Sequence, residues 1–170
     1  MLNCVKLLLV SHLFLLSFSS LSHASQQDTP LVATVEVRSI FKISIQSTML
    51  NFGTVDPGIS SSKKIVPISC TTNNNNAWSV SVNVQSPLAY EQYEIPLSNF
   101  KWEISTLNGT GQVVPSGEMS LSPNNFYTAA LDENITETPI ELALSLYVDV
   151  PRGQVAGTYR TIVIITMHEE

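Results

Sequence analysis

The chain alternates apolar and polar residues along several separate stretches, and most of its structure can be reasoned from that alternation. In residues 139–150 the even positions are Ile140, Leu142, Leu144, Leu146, Val148 and Val150, while Glu141, Ser145, Tyr147 and Asp149 take odd ones. Successive side chains of a strand point to opposite faces, so this pattern predicts a strand with one face in a core and one in water. Residues 77–84 repeat it, with Trp78, Val80, Val82 and Val84 against Ser79, Ser81 and Asn83. Residues 100–105 set Phe100, Trp102 and Ile104 against Lys101 and Glu103. Residues 64–70 place Val66, Ile68 and Cys70 on one side, and Pro67, which has no N–H to donate, predicts an edge or bulge there.

The last run, 158–168, is apolar at both parities through Ile162, Val163, Ile164 and Ile165. That predicts a strand covered on both faces. Turn chemistry separates the runs: Asp56-Pro57-Gly58, asparagines 73–76, Asn108-Gly109, Pro115-Ser116-Gly117, Pro123-Asn124-Asn125 and Pro151-Arg152-Gly153. Residues 106–125 are the least patterned and predict a long loop with at most one short strand near 119–121. No window carries helical periodicity with a cap. The expectation is an all-β chain, an immunoglobulin-like antiparallel β-sandwich of about seven to nine strands.

Near the amino terminus the odd positions run Leu31, Ala33, Val35, Val37, Ser39, Phe41, Ile43 and Ile45 without a change of parity. That is longer than the usual strand of about five or six residues. Two readings follow. The run is one edge strand that crosses between sheets, or its first half is an extended segment that pairs with a neighbouring molecule.

Ahead of this run, Lys6 precedes an apolar stretch over 7–21 broken only by serines and His12, and the stretch ends in Ser22-His23-Ala24. Charge, apolar core and small residues in that order predict a secretory signal over 1–24, with an apolar core short for a membrane span. The expected organisation is a signal peptide, 1–24, and one sandwich domain, 25–170, secreted, periplasmic or at the cell surface, with no membrane span in the mature chain. Processing leaves seven basic against fourteen acidic residues, a net charge of −7. Such a balance offers no electrostatic footprint for nucleic acid or anionic lipid.

Processing also strips the chain of most of its candidate chemistry. Cys4, His12 and His23 fall in the signal, leaving Cys70 and His168 as the single mature cysteine and histidine. An intrachain disulfide is then excluded, and a nucleophile–imidazole pair would need His168, the third residue from the end, held in place. The expectation is a protein that is not an enzyme, with no catalytic residues, no metal site and no cofactor. Asp132-Glu133-Asn134 carries oxygen ligands without the register of a calcium loop. Asn108-Gly109-Thr110 and Asn134-Ile135-Thr136 fit the acceptor triplet for N-glycosylation. Trp78 and Trp102 share parity with apolar neighbours and point inward. Tyr90 and Tyr93 are the candidate ligand-facing aromatics, on which a sugar ring could stack.

Two stretches resemble known families. Leu50-Asn51-Phe52-Gly53-Thr54-Val55-Asp56-Pro57-Gly58, followed by a strand ending at Cys70, resembles the opening of bacterial immunoglobulin-like surface domains. Leu146-Tyr147-Val148 through Gly153, then Ala156-Gly157-Thr158-Tyr159 into a final strand, is similar to spore coat protein U-like and chaperone–usher pilin domains. The resemblance implies a secreted structural or adhesive subunit whose sandwich is completed by an extended strand from a chaperone or the next subunit. Residues 26–37 would be the donor, with Leu31, Ala33, Val35 and Val37 filling pockets. The expected partners are therefore another protein or a second copy through strand addition, and the second reading is a secreted carbohydrate-binding module using Tyr90 and Tyr93.

Overall fold

The alternating stretches pair into antiparallel sheets in a computed structural model that describes residues 31–170. The signal peptide expected over 1–24 lies outside the described residues. The chain divides into two units, Met1–Glu36 and Val37–Glu170. Of the first, residues 31–36 are described; they carry no strand and their side chains are exposed.

The strands of the described residues all lie in the second unit: β1 (Phe41–Ile45), β2 (Lys64–Thr72), β3 (Trp78–Val84), β4 (Leu88–Tyr90), β5 (Tyr93–Ile95), β6 (Phe100–Thr106), β7 (Gln112–Val113), β8 (Ser116–Glu118), β9 (Asn124–Thr128), β10 (Ile140–Val148) and β11 (Val163–Glu169). One sheet has the order β1-β2-β10-β6-β8, the other β11-β3-β9-β7, and β4-β5 form a separate hairpin. The nine strands of the two sheets make the expected all-β antiparallel sandwich. Among the described residues no helix is long and apolar enough to cross a membrane.

The alternation does what it predicts on β10, where Ile140, Leu142, Leu144, Leu146 and Val148 are buried and the residues between them are not. Facing them, β3 and β9 contribute Trp78, Val80, Val82, Val84, Phe126 and Tyr127. Trp78 and Trp102 both point inward, and each indole N–H is satisfied by a backbone carbonyl, Glu133 O at 2.9 Å and Glu118 O at 3.2 Å. Burial of this apolar set is the main favourable contribution to the fold, because the chain's one described cysteine, Cys70, is a free thiol.

The strand order is that of an immunoglobulin sandwich. In the constant-type fold, strands A, B, E and D form one sheet and C, F and G the other. Here β1-β2-β10-β6 reproduce A-B-E-D, and β11-β3 reproduce F-C. Tyr159, just before β11, donates its hydroxyl to Val155 O four residues upstream at 2.8 Å, the arrangement of a tyrosine corner at the start of strand F.

Four features depart from the sequence expectations. β11 is not covered on both faces: it ends its sheet, and Ile162 and Ile164 are exposed, so its two-sided apolarity is not a sign of an interior strand. Pro67 lies within β2, which is flanked by β1 and β10, but β1 ends opposite Ile68. The proline's missing donor faces the side on which β1 has just stopped, where no acceptor is left waiting. Residues 106–125 hold β7 and β8 rather than one strand near 119–121; the chain turns at Pro115 to pass from one sheet to the other. Of the odd-parity run 31–45, only Phe41–Ile45 is a strand, since its partner β2 ends at Thr72.

Candidate functional site

The two long sides of the sandwich differ. On one side the segment through Pro115 joins β7 of one sheet to β8 of the other, with Ile104 N–H donating to Pro115 O at 2.9 Å and Val114 N–H to Phe126 O at 3.0 Å. That side is laced shut by a strand that switches sheets. The other side is bounded by β1 and β11, the end strands of their sheets, and among the described residues no strand pairs with the outer edge of either.

The hydrogen-bond register says which backbone groups face that open side. In an antiparallel pair, alternate residues bond the partner strand and those between point away. Gln85 N–H donates to Ile162 O at 3.0 Å, and Glu170 N–H donates to Ala77 O at 2.9 Å, so even residues of β11 bond β3. The N–H and C=O groups of Val163, Ile165, Met167 and Glu169 therefore face outward. Likewise Asn73 N–H donates to Ile40 O at 3.1 Å, which puts the even residues of β1 on β2. Phe41, Ile43 and Ile45 turn their backbone groups to the same open side.

Of these odd residues, Ile43, Ile45, Val163, Ile165 and Met167 pack their side chains against the core. Ile43, Ile45, Val163 and Ile165 are only partly buried, in contrast to Leu144 at 0% exposure on an interior strand. Two rows of unpaired backbone groups thus flank an incompletely covered part of the core. Each row offers ladder partners to an added strand, with apolar positions to cover at alternate residues.

The sequence-selected donor residues are placed as follows. Leu31, Ala33 and Val35 lie in the first unit and Val37 begins the second, and all four are exposed, Leu31 at 93% and Val37 at 76%. Tyr90 and Tyr93 face each other across the β4-β5 hairpin, whose turn residue Glu91 takes a left-handed φ of 53°. Tyr90 packs edge-on against Tyr159 with ring centroids 5.9 Å apart, and its ring lies so close to Gly157 that any Cβ there would overlap it. That close approach is the physical reason for the glycine in Ala156-Gly157-Thr158-Tyr159. It also occupies one face of Tyr90, leaving Tyr93 as the exposed ring of the pair.

The remaining chemistry is dispersed. Cys70 is fully buried and burial, with the nearby Glu141 charge, pushes its thiol up to about 12, far from thiolate chemistry. His168 sits on β11, where its Nε2 is 2.8 Å from Ser81 Oγ; the strand holds the imidazole that sequence reasoning left loose near the terminus. Asn108 uses its side-chain amide at both ends, donating to Pro139 O at 2.9 Å and accepting from Glu141 N–H at 2.8 Å. The residues that sequence reasoning missed are the outward-facing backbone of β1 and β11. Only the unusual two-sided apolarity of 162–165 signalled it.

No protein-family model and no curated protein matches this chain.

Proposed function

We propose that this chain is an exported structural or adhesive surface subunit, pilin-like or coat-like, that assembles by strand addition. The run Leu31, Ala33, Val35, Val37 of one copy enters the open side of the next, between β1 and β11. The observation that carries this reading is the pair of free ladders, Phe41/Ile43/Ile45 and Val163/Ile165/Met167, bordering partly exposed apolar side chains. Exposed ladder edges invite pairing with another chain unless they are blunted. The donor run supports the same reading, because Leu31, Ala33, Val35 and Val37 recur at the period of a strand, with the polar Thr34 and Glu36 between the last three, and the run is itself exposed. The likeness to pilin domains and the predicted export signal point the same way.

Sedimentation velocity over a concentration series tests it. Deleting residues 31–37 should abolish concentration-dependent oligomers while circular dichroism retains the β signature. Placing a charge in the acceptor, Ile165→Lys, should do the same from the other side, and mixing the two variants should not restore long assemblies. If oligomers persist in both, the reading is wrong.

A further inference from the structure

At the end of the open side nearest Thr72 and Glu169, two asparagines tie β1 to β11. Asn73 N–H donates to Ile40 O at 3.1 Å, its Oδ1 accepts from Ile40 N–H at 2.6 Å, and its Nδ2 donates to Arg38 O at 2.9 Å. An amide side chain offers the same donor and acceptor as a peptide group, so Asn73 prolongs the β1-β2 ladder past the last residue of β2. Asn74 Oδ1 accepts from the Ser39 hydroxyl at 2.5 Å, and its Nδ2 donates to Glu169 Oε1 at 2.8 Å, on the last residue of β11. The turn itself is pinned: Asn75 takes a left-handed φ of 58°, and its N–H donates to Asn134 O at 3.1 Å.

The clasp constrains what the preceding residues can do. Arg38–Ile40 are held in line with β1, beyond its start, on the β1 sheet. For residues 31–37 to lie in their own chain's open side, the chain would have to reverse before Arg38. A tight reversal takes about two to five residues, and three more must retrace the stretch 38–40 before drawing level with Phe41. Counting back from Val37, that consumes 33–37 at the least, so Val37, Val35 and Ala33 are spent outside the slot. Only Leu31 would reach it, preceded by Pro30 and the polar residues 25–29. A neighbouring copy is under no such constraint and can receive all four apolar residues.

We infer that Asn73 and Asn74 are positioning residues that commit the 31–37 segment to a second copy of this chain and disfavour self-completion. This inference rests on the strand-addition reading above. Breaking the clasp frees residues 38–40 to form the reversal, so the segment gains a route into its own slot.

The test uses the whole chain expressed from its full sequence. The N73A/N74A variant removes four exposed side-chain hydrogen bonds, each individually weak in water, and should raise the monomer-to-oligomer ratio about five- to thirtyfold. In that monomer the amides of Val163, Ile165 and Met167 should be protected from hydrogen exchange, as in a completed sheet. N73D keeps the acceptor for Ile40 N–H and loses the donor to Arg38 O; it should shift the ratio the same way by a smaller factor with the fold intact. A folded N73D with an unchanged ratio overturns the inference, as does a variant monomer whose β11 amides exchange freely. Deleting residues 31–37 from the unmodified chain separates the two levels. Oligomers that survive the deletion sink strand addition itself, whereas oligomers that vanish beside an unchanged N73D ratio sink the clasp alone.

Discussion

The Tyr127 hydroxyl donates to Glu133 Oε2 across 2.6 Å, and this buried pair fastens the loops at one end of the sandwich. Oε2 also accepts from Ala130 N–H at 2.9 Å, Oε1 accepts from Thr110 N–H at 2.7 Å, and the Glu133 carbonyl holds the Trp78 indole. Gly111 N–H in turn donates to the Tyr127 oxygen at 3.2 Å. Through its carboxylate and its backbone carbonyl, Glu133 thus joins the 107–111 loop, the short 3-10 turn Leu131–Glu133 and the first residue of β3.

Replacing this carboxylate should be costly. In Glu133→Gln the new amide N–H₂ confronts Ala130 N–H or Thr110 N–H, donor against donor, and about 2–4 kcal/mol of stability should be lost. Tyr127→Phe should lose about 1–2 kcal/mol, and the double variant less than the sum, because both changes break the same bond. Urea denaturation of the three variants measures this, and additive losses would contradict the coupling.

The same pair sets a pH dependence. Burial pushes Glu133 up, but the Tyr127 hydroxyl, the Thr110 and Ala130 N–H groups and the Thr110 hydroxyl outweigh it and hold the carboxyl below its ordinary value. A lowered folded-state value means the stabilisation is fully present above the unfolded value, about 4.3. It is lost as pH falls through the lower folded value. Stability measured from pH 6 downward should therefore decline below about pH 4, and Glu133→Gln should flatten that decline.

The open side predicts unequal costs for similar truncations. Leu144→Ala, in the fully buried row of β10, should cost about 3–5 kcal/mol. Ile43→Ala, on the incompletely covered β1, should cost the isolated subunit about 1–2 kcal/mol, since its side chain leaves less of a cavity. Equal losses by urea titration would mean that β1 is covered.

Cys70 should be inert in the folded protein. Its burial and raised thiol value predict that iodoacetamide leaves it unlabelled at neutral pH until the chain is unfolded. Peptide mapping by mass spectrometry reads this directly, and native-state labelling at Cys70 would be the contrary result.

Gly157 and Tyr159 should prove structural. Tyr159→Phe removes a hydroxyl that donates to Val155 O and accepts from Gln154 Nε2 at 2.7 Å, for a loss of about 1–2 kcal/mol. Gly157→Ala forces the Tyr90 ring aside and should cost about 1–3 kcal/mol. Thermal melting of both variants checks these values.

Alternation alone determined much of this molecule. Period-two patterns on β2, β3, β6 and β10 specified strand type, inward face and the core positions of Cys70, Trp78 and Trp102, because a one-residue slip would expose every apolar side chain. Short-range chemistry likewise marked the turns at Asp56-Pro57-Gly58 and Pro151-Arg152-Gly153. The tertiary structure decided what depends on neighbours remote in sequence. Pro67 is tolerated inside β2 only because β1 stops beside Ile68, and Glu133 is buried only because Tyr127, Thr110 and Ala130 converge on it. Apolar residues on both faces of 162–165 could equally mark a strand covered by its own chain or an end strand left for another. Sequence records a side chain's polarity and not which backbone groups find partners, so only the assembled sheets show β1 and β11 as the end strands that border the same side of one core.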